Sequence, residues 1–491
     1  MKQFLIPFVL ALLLILSPAE ILPIFAQVDT TEQNSSALPQ NTTLHMPPIP
    51  PTPPSPQNTT NPNCPAKNDS GINLKGKDLR GCDLRGANMS NDNLQNANLQ
   101  GDNMQGANLR GASLKGADIQ GANLQNANLQ DTPLQGADFT GANLSGAKLT
   151  GSSLRNTIMQ NAKLQNADIH NAVLAGANFQ GANLQHANLQ NSNLNGTNLQ
   201  NATMQDAQLQ DTNLVNANFQ MANMQGANLK DATLKGANLQ DANLQGANIF
   251  GDNLKGANLK GTQLQHANLE EANLQGDNCE GANMHEADLK DILLQGADLS
   301  GSDMSNAKLH GASLLGANLE DANMKGVDFQ DGNLRMANLQ SVNLDGANLQ
   351  DTSLNGTNLQ NATLQGTNLQ ATNLGNATFQ GANLQSANLK DASLKGANLQ
   401  GANLQNANIF GDNLRGANLQ GANLQNANLQ SASLFGDNIE NANLKMVKMQ
   451  DANLRNVDFT NSNLTDANLQ GASIVGAIFT GAIIDGCIGC K

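Results

Sequence analysis

Residues 396–420 read GANLQGANLQNANIFGDNLRGANLQ. Leu or Ile returns at every fifth position, from Leu399 to Leu419, and the residue two places before it is Ala, once Asp (Asp412). A helix has no use for this spacing. Five residues advance about 500° around a helix, so successive Leu would wander around the cylinder and form no stripe. A straight strand has no use for it either, because an odd spacing sends successive Leu to opposite faces. The period works if each pentapeptide is one short extended segment followed by one corner. The Leu centre and the small residue two before it then point inward together. The Asn before the centre and the Gln, Lys or Arg after it point outward, and Gly, Asn or Asp at the next position suits the bend.

The same pattern runs from Leu74 to Ile484 without an insertion or deletion. Bulky centres show how many corners close a turn. Phe139, Phe179, Phe219, Phe379, Phe459 and Phe479 differ by multiples of 20, and Phe329 is the one Phe centre outside that set. The segment beginning KDATLKGANLQ at Lys230 returns at Lys390 as KDASLKGANLQ, an offset that is again a multiple of 20. Four pentapeptides per coil follow, and the long echo reads as a duplication of whole coils.

The tandem A-[DN]-L-x-x pattern over roughly residues 72–484 resembles the pentapeptide-repeat family. The resemblance implies an all-β fold, a right-handed quadrilateral parallel β-helix (a solenoid), and it is nearly silent on function. At four pentapeptides per coil the chain would make about 21 coils, a rod roughly 100 Å long at the usual strand spacing.

Three zones are expected: a signal peptide at 1–26, a disordered Pro/Thr/Asn-rich spacer at 27–70, and the β-helix at 71–491. The first begins MKQFLIPFVLALLLIL, a basic residue before an apolar run, with small residues offering cleavage after Ala19 or Ala26. Export to periplasm, cell surface or medium is the expectation, with a membrane association only if the signal stays uncleaved. MPPIPPTPPSP at 46–56 cannot bury a core and reads as a semi-rigid spacer.

The chain has 26 Lys and Arg against 40 Asp and Glu, a net charge of −14, and neither Trp nor Tyr. This balance disfavours a general nucleic-acid binder. Mimicry of duplex DNA, known for some pentapeptide-repeat proteins, is disfavoured too. The repeat zone would carry one net charge per roughly 8 Å of rod, against about 1.7 Å for the duplex.

Several constellations bear on function. A column of corner acids includes Asp211, Asp231, Glu271, Asp291, Asp331 and Asp351, whose stacked pairs could share a divalent cation. A basic column that includes Lys235, Lys255, Arg335, Lys395, Arg415 and Arg455 is expected to offset it as a solvated zwitterionic surface. Asp92, Asp102, Asp252, Asp277, Asp412 and Asp437 fall in inward slots, where each must accept backbone N–H bonds or take up a proton. Phe250, Phe410 and Phe435 point outward, either as contact points or as covers for a neighbouring corner. The six His (45, 170, 186, 266, 285 and 310) include no stacked neighbours 20 apart, so they read as surface decoration. No catalytic residue, cofactor or metal site is expected, and the chain reads as a non-enzyme.

Cys64 and Cys82 could pin the leading segment onto the first coil, or Cys82 could serve only as a small inward residue. Cys487 and Cys490 read as a local disulfide or a free pair, and Cys279 as a buried thiol. Lys77 occupies an inward slot, which predicts a distorted first coil. Val475, Ile478 and Ile483 replace outward polar residues in the last coil and suggest end-to-end pairing of two copies. The functional expectation is an exported structural or protein-interaction rod with an unknown protein or surface partner. Binding of a cation, a glycan or another surface is the alternative.

Overall fold

A corner every five residues leaves each side too short for a strand. In the computed structural model, which describes residues 61–491, the chain repeats turn, extended residue, bridge, extended residue, turn throughout the pentapeptide zone. The bridges are single residues rather than the strands of an ordinary sheet. All are parallel, and each joins residues 20 apart, from Asn73↔Asn93 to Asn468↔Ile488. The 20-residue register expected from the Phe centres is therefore the register of the backbone. One bridge is skipped between Ser113 and Pro133, where proline has no N–H to donate. Among the described residues no helix is long and apolar enough to cross a membrane. The expected signal peptide at 1–26 and residues 27–60 of the expected spacer lie outside the described residues.

The backbone bonds explain why the pentapeptide is the unit. Each centre donates its N–H to the carbonyl 19 residues on, as Leu99 does to Asp118 at 2.7 Å. The bridge residue donates back to the carbonyl 21 residues earlier, as Asp118 does to Ala97 at 3.0 Å. At the corner the inward small residue donates to the preceding centre, as Ala397 does to Leu394 at 2.9 Å. The third residue of this turn has positive φ at every fifth position from Gly71 to Gly486, which with negative φ before it is the type II pattern. Gly, Asn and Asp dominate the position for that reason. Met221, Glu271, Met336 and Ala371 occupy it against their preference.

Inside, the Leu and Ala columns are almost wholly buried along the repeat, and the Phe centres 139, 179, 219, 379 and 459 join them. Phe479 stacks on Phe459 with ring centroids 5.1 Å apart. Phe329 stands two corners away from that column, and room is made for it: Gly332 takes the slot usual for Ala, where a Cβ would come within 3.0 Å of three ring carbons.

The leading segment is fastened to the first described coil. Cys64 and Cys82 form a disulfide, Cys82 being buried as well. Asn61 Nδ2 donates to the carbonyls of Asp78 and Arg80 at 2.9 and 3.1 Å, and Lys67 Nζ lies 3.1 Å from Asp83. The first coil is not distorted as Lys77 predicts. Lys77 is exposed and its backbone keeps the regular bonds to Leu74 and Asn98, because a long side chain at the edge of the stack reaches solvent.

Candidate functional site

The surface is built by the residues on either side of each centre. In three of the four columns of bridge residues the residue is mostly Asn, and the amides bond along the rod, Nδ2 to the Oδ1 20 residues earlier. One ladder runs from Asn428 through Asn408, Asn388, Asn368 and Asn348 to Asp328 at 2.9–3.1 Å. A second runs from Asn258 to Asn178, and a third from Asn443 to Asn383. Each Asn Oδ1 commonly also accepts the N–H two residues on, as Asn348 does from Gln350, which holds the amide in one orientation. The fourth column carries Ser, Thr and Asn with Pro133, Val173 and Leu293, and among the described residues no such ladder.

The corner acids Asp211, Asp231, Glu271, Asp291, Asp331 and Asp351 are all exposed with positive φ. Asp231 and Asp291 lean their Oδ1 over Gly251 and Gly311 of the next coil, where a side chain would collide with them. The cation beside Asp231 is not in the basic column at Lys235 and Lys255. Lys230 Nζ is 3.9 Å from Asp231, and in the duplicated coil Lys390 Nζ is 3.9 Å from Asp391. The basic column, four residues further on, falls at the next corner along the chain.

Two of the outward Phe are covered by the coil before them. Lys230 Nζ sits 5.4 Å from the Phe250 ring centroid and the Arg415 guanidinium 5.3 Å from that of Phe435, both in cation–π range. Phe410 is 36% exposed. In the last coil Val475, Ile478, Ile483 and also Ile488 are exposed, at 66, 47, 50 and 55%. Cys487 and Cys490 form a disulfide there. Cys279 is a free, buried thiol, pushed well up by its burial.

The six inward Asp are buried, each accepting a backbone N–H through Oδ1 and leaving Oδ2 without a partner. Asp252 accepts from Ala232 at 2.8 Å, Asp412 from Ala392 at 2.9 Å and Asp437 from Ala417 at 3.1 Å. Loss of water raises their carboxyls, to about 9 for Asp252 and about 8 for Asp412 and Asp437, the backbone bonds recovering only part of it. Asp102 and Asp277 rise to about 7, and Asp92 rises for the same reason. Asp78 falls to about 2 beside the Arg80 guanidinium.

Two of the surface histidines meet although they are not 20 apart. His266 and His285 lie side by side, ring centroids 6.2 Å apart, and both reach Glu286, through His266 Nδ1 at 3.3 Å and His285 Nε2 at 3.2 Å. Stacking at 20 is not the only neighbour relation. The two outward residues of one corner are adjacent, so positions 19 apart also meet, and a search at that offset finds this pair. Among the described residues no three His, Cys, Asp or Glu stand ready-made around a metal.

Pentapeptide repeats, in blocks of eight copies, match at residues 70–101, 93–131, 137–176, 253–291, 292–331, 413–451 and 448–488, and a pentapeptide repeat region matches at 162–239 and 333–409. The chain belongs to the pentapeptide-repeat family. Solved pentapeptide-repeat structures include HetL, involved in heterocyst differentiation regulation in the cyanobacterium Nostoc. It is 30% identical over 51% of this chain and 90% of its own, with a TM-score of 0.23. A second, from the Arabidopsis thaliana thylakoid lumen, is 25% identical over 30% of this chain and 71% of its own, TM-score 0.15. QnrB1, a plasmid-mediated fluoroquinolone resistance protein, is 20% identical over 40% of this chain and 88% of its own, TM-score 0.27. At such TM-scores none of these likenesses bears on what this pentapeptide-repeat protein does. No curated protein matches the chain.

Proposed function

We propose that this pentapeptide-repeat protein is a non-enzymatic, exported rod that acts by presenting repeated amide surfaces to a protein or surface partner. The observation that carries the reading is the set of Asn ladders, each amide fixed by its neighbours and by the backbone, so that a long polar face is offered already ordered. A preorganised face gives up little side-chain freedom on binding. The two disulfides suit an oxidising compartment. In this reading the coils are right-handed and four-sided, four pentapeptides each and about 21 in number, roughly 100 Å of stacked surface.

The test is the intact mass of the protein from fractionated host cells, before and after reduction. A mass beginning at Gln27 outside the cytoplasm is expected, as is a gain on reduction equal to two opened disulfides. A soluble cytoplasmic species retaining Met1 would sink the export reading. The apolar residues of the last coil favour a second feature, pairing of two copies through Val475, Ile478, Ile483 and Ile488. Light scattering at micromolar concentration is expected to give twice the monomer mass, and a monomer would refute it.

A further inference from the structure

We infer that His266, His285 and Glu286 form a binding site for one divalent transition-metal ion of the zinc class. Ligands held about 2.0–2.1 Å from a tetrahedral zinc lie about 3.3 Å from one another. The two imidazole-to-carboxylate separations, 3.3 and 3.2 Å, are already of that length. The ring centroids are 6.2 Å apart, so the two imidazoles must turn toward each other to share an ion, and with the three side chains 35–54% exposed an ion has access to the corner. Two imidazoles and one carboxylate are a donor set that suits zinc, copper or nickel over magnesium or calcium.

The surroundings orient the first of these ligands. His285 Nδ1 lies 2.8 Å from Ser305 Oγ, which leaves Nε2 facing Glu286. Ser305 is itself buried, its N–H donating to Asp303 Oδ1 at 2.9 Å and its carbonyl accepting the N–H of Glu286 at 3.0 Å. A hydrogen bond to the far nitrogen of a ligating imidazole is the usual means of fixing which nitrogen meets the metal. His266 and Glu286 moreover hold corner positions with φ of 58° and 54°, where Gly, Asn or Asp would sit with less strain.

The molecule contains its own control. Eighty residues earlier His186 and Asp206 repeat the stacked His–acid pair at 3.7 Å, but Gln205 stands where His285 would be. That corner offers two ligands, and the one at His266 offers three.

Calorimetric titration of the oxidised full chain with zinc chloride tests the assignment, with cobalt(II) chloride as a spectroscopic reporter of tetrahedral geometry. One ion per chain is expected, bound at least about tenfold more weakly by His285→Gln, which places at this corner the residue natural to the other. His266→Gln and Glu286→Gln should weaken it similarly, Ser305→Ala should weaken it while leaving the circular dichroism unchanged, and His186→Gln should leave it intact. No saturable binding by the wild-type chain, or equal binding by wild type and a folded His285→Gln, overturns the site.

Discussion

Gly332 tests the packing rule of this core. Most described corners are followed by a small inward residue, usually Ala, and at 332 the residue is Gly because Phe329 turns its ring into that slot. In Gly332→Ala the added methyl meets three ring carbons closer than 3.0 Å, and the ring is fully buried. Overpacking of this kind costs about 1–3 kcal/mol. The φ at 332 is not in the left-handed region, so Ala also restricts the unfolded chain and returns about 0.4–1 kcal/mol. The net expectation is a loss of about 1–2 kcal/mol. A solenoid need not unfold in one step, so the assay is native-state hydrogen exchange rather than a global midpoint. Amides that bind this coil to its neighbours, such as Phe329 N–H to Asn348 O at 2.8 Å, should exchange roughly 5–30 times faster. In a Phe329→Leu background the collision disappears, and the same Gly332→Ala change should slow exchange. If it accelerates exchange equally in both backgrounds, the ring is not the reason for the glycine and the argument fails.

Two further outcomes follow from the buried acids and the corners. Asp252, Asp412 and Asp437 have folded-state carboxyls raised to about 8–9 by burial, above their ordinary value. Their stabilising contribution is therefore complete at pH below about 4 and is lost as pH rises through about 8–9, at up to about 1.4 kcal/mol per pH unit for each group. Ser in the same slot accepts the same kind of N–H, as Ser462 does from Ala442 at 3.1 Å, and has no proton to lose. The triple Asp→Ser variant should flatten the local exchange profile between pH 5 and 9, and an unchanged slope would show that these carboxyls are not its source. Met336 sits at a corner with φ of 57° and 66% exposed, so Met336→Gly should stabilise its coil by about 1 kcal/mol, the penalty for a side chain in that conformation. Urea-dependent exchange would read this, and a destabilised coil would mean that the methionine packs to more effect than it strains.

Family and register were legible in the sequence because they rest on local rules. A period of five, with a small residue, an apolar centre and a turn former in fixed order, excludes helix and strand and leaves a coil of corners. The Phe centres, all but Phe329 separated by multiples of 20, then give 20 residues per turn. The inward Asp were legible as buried for the same reason, since slot alone decides inside or outside. Lys77 is the exception, because at the edge of the stack a slot no longer implies burial.

What the tertiary structure alone decided concerns neighbours that are not 20 apart. The Asp231 carboxylate meets the adjacent Lys230 rather than Lys235, and His285, 19 residues from His266, reaches the Glu286 that His266 also touches. Gly332 is explained only by the direction in which the Phe329 ring turns. The periodic sequence determines which slot each residue fills and which residue lies one coil away. Side-chain rotamers around a corner determine which of several equidistant partners it meets, and no one-dimensional pattern encodes them.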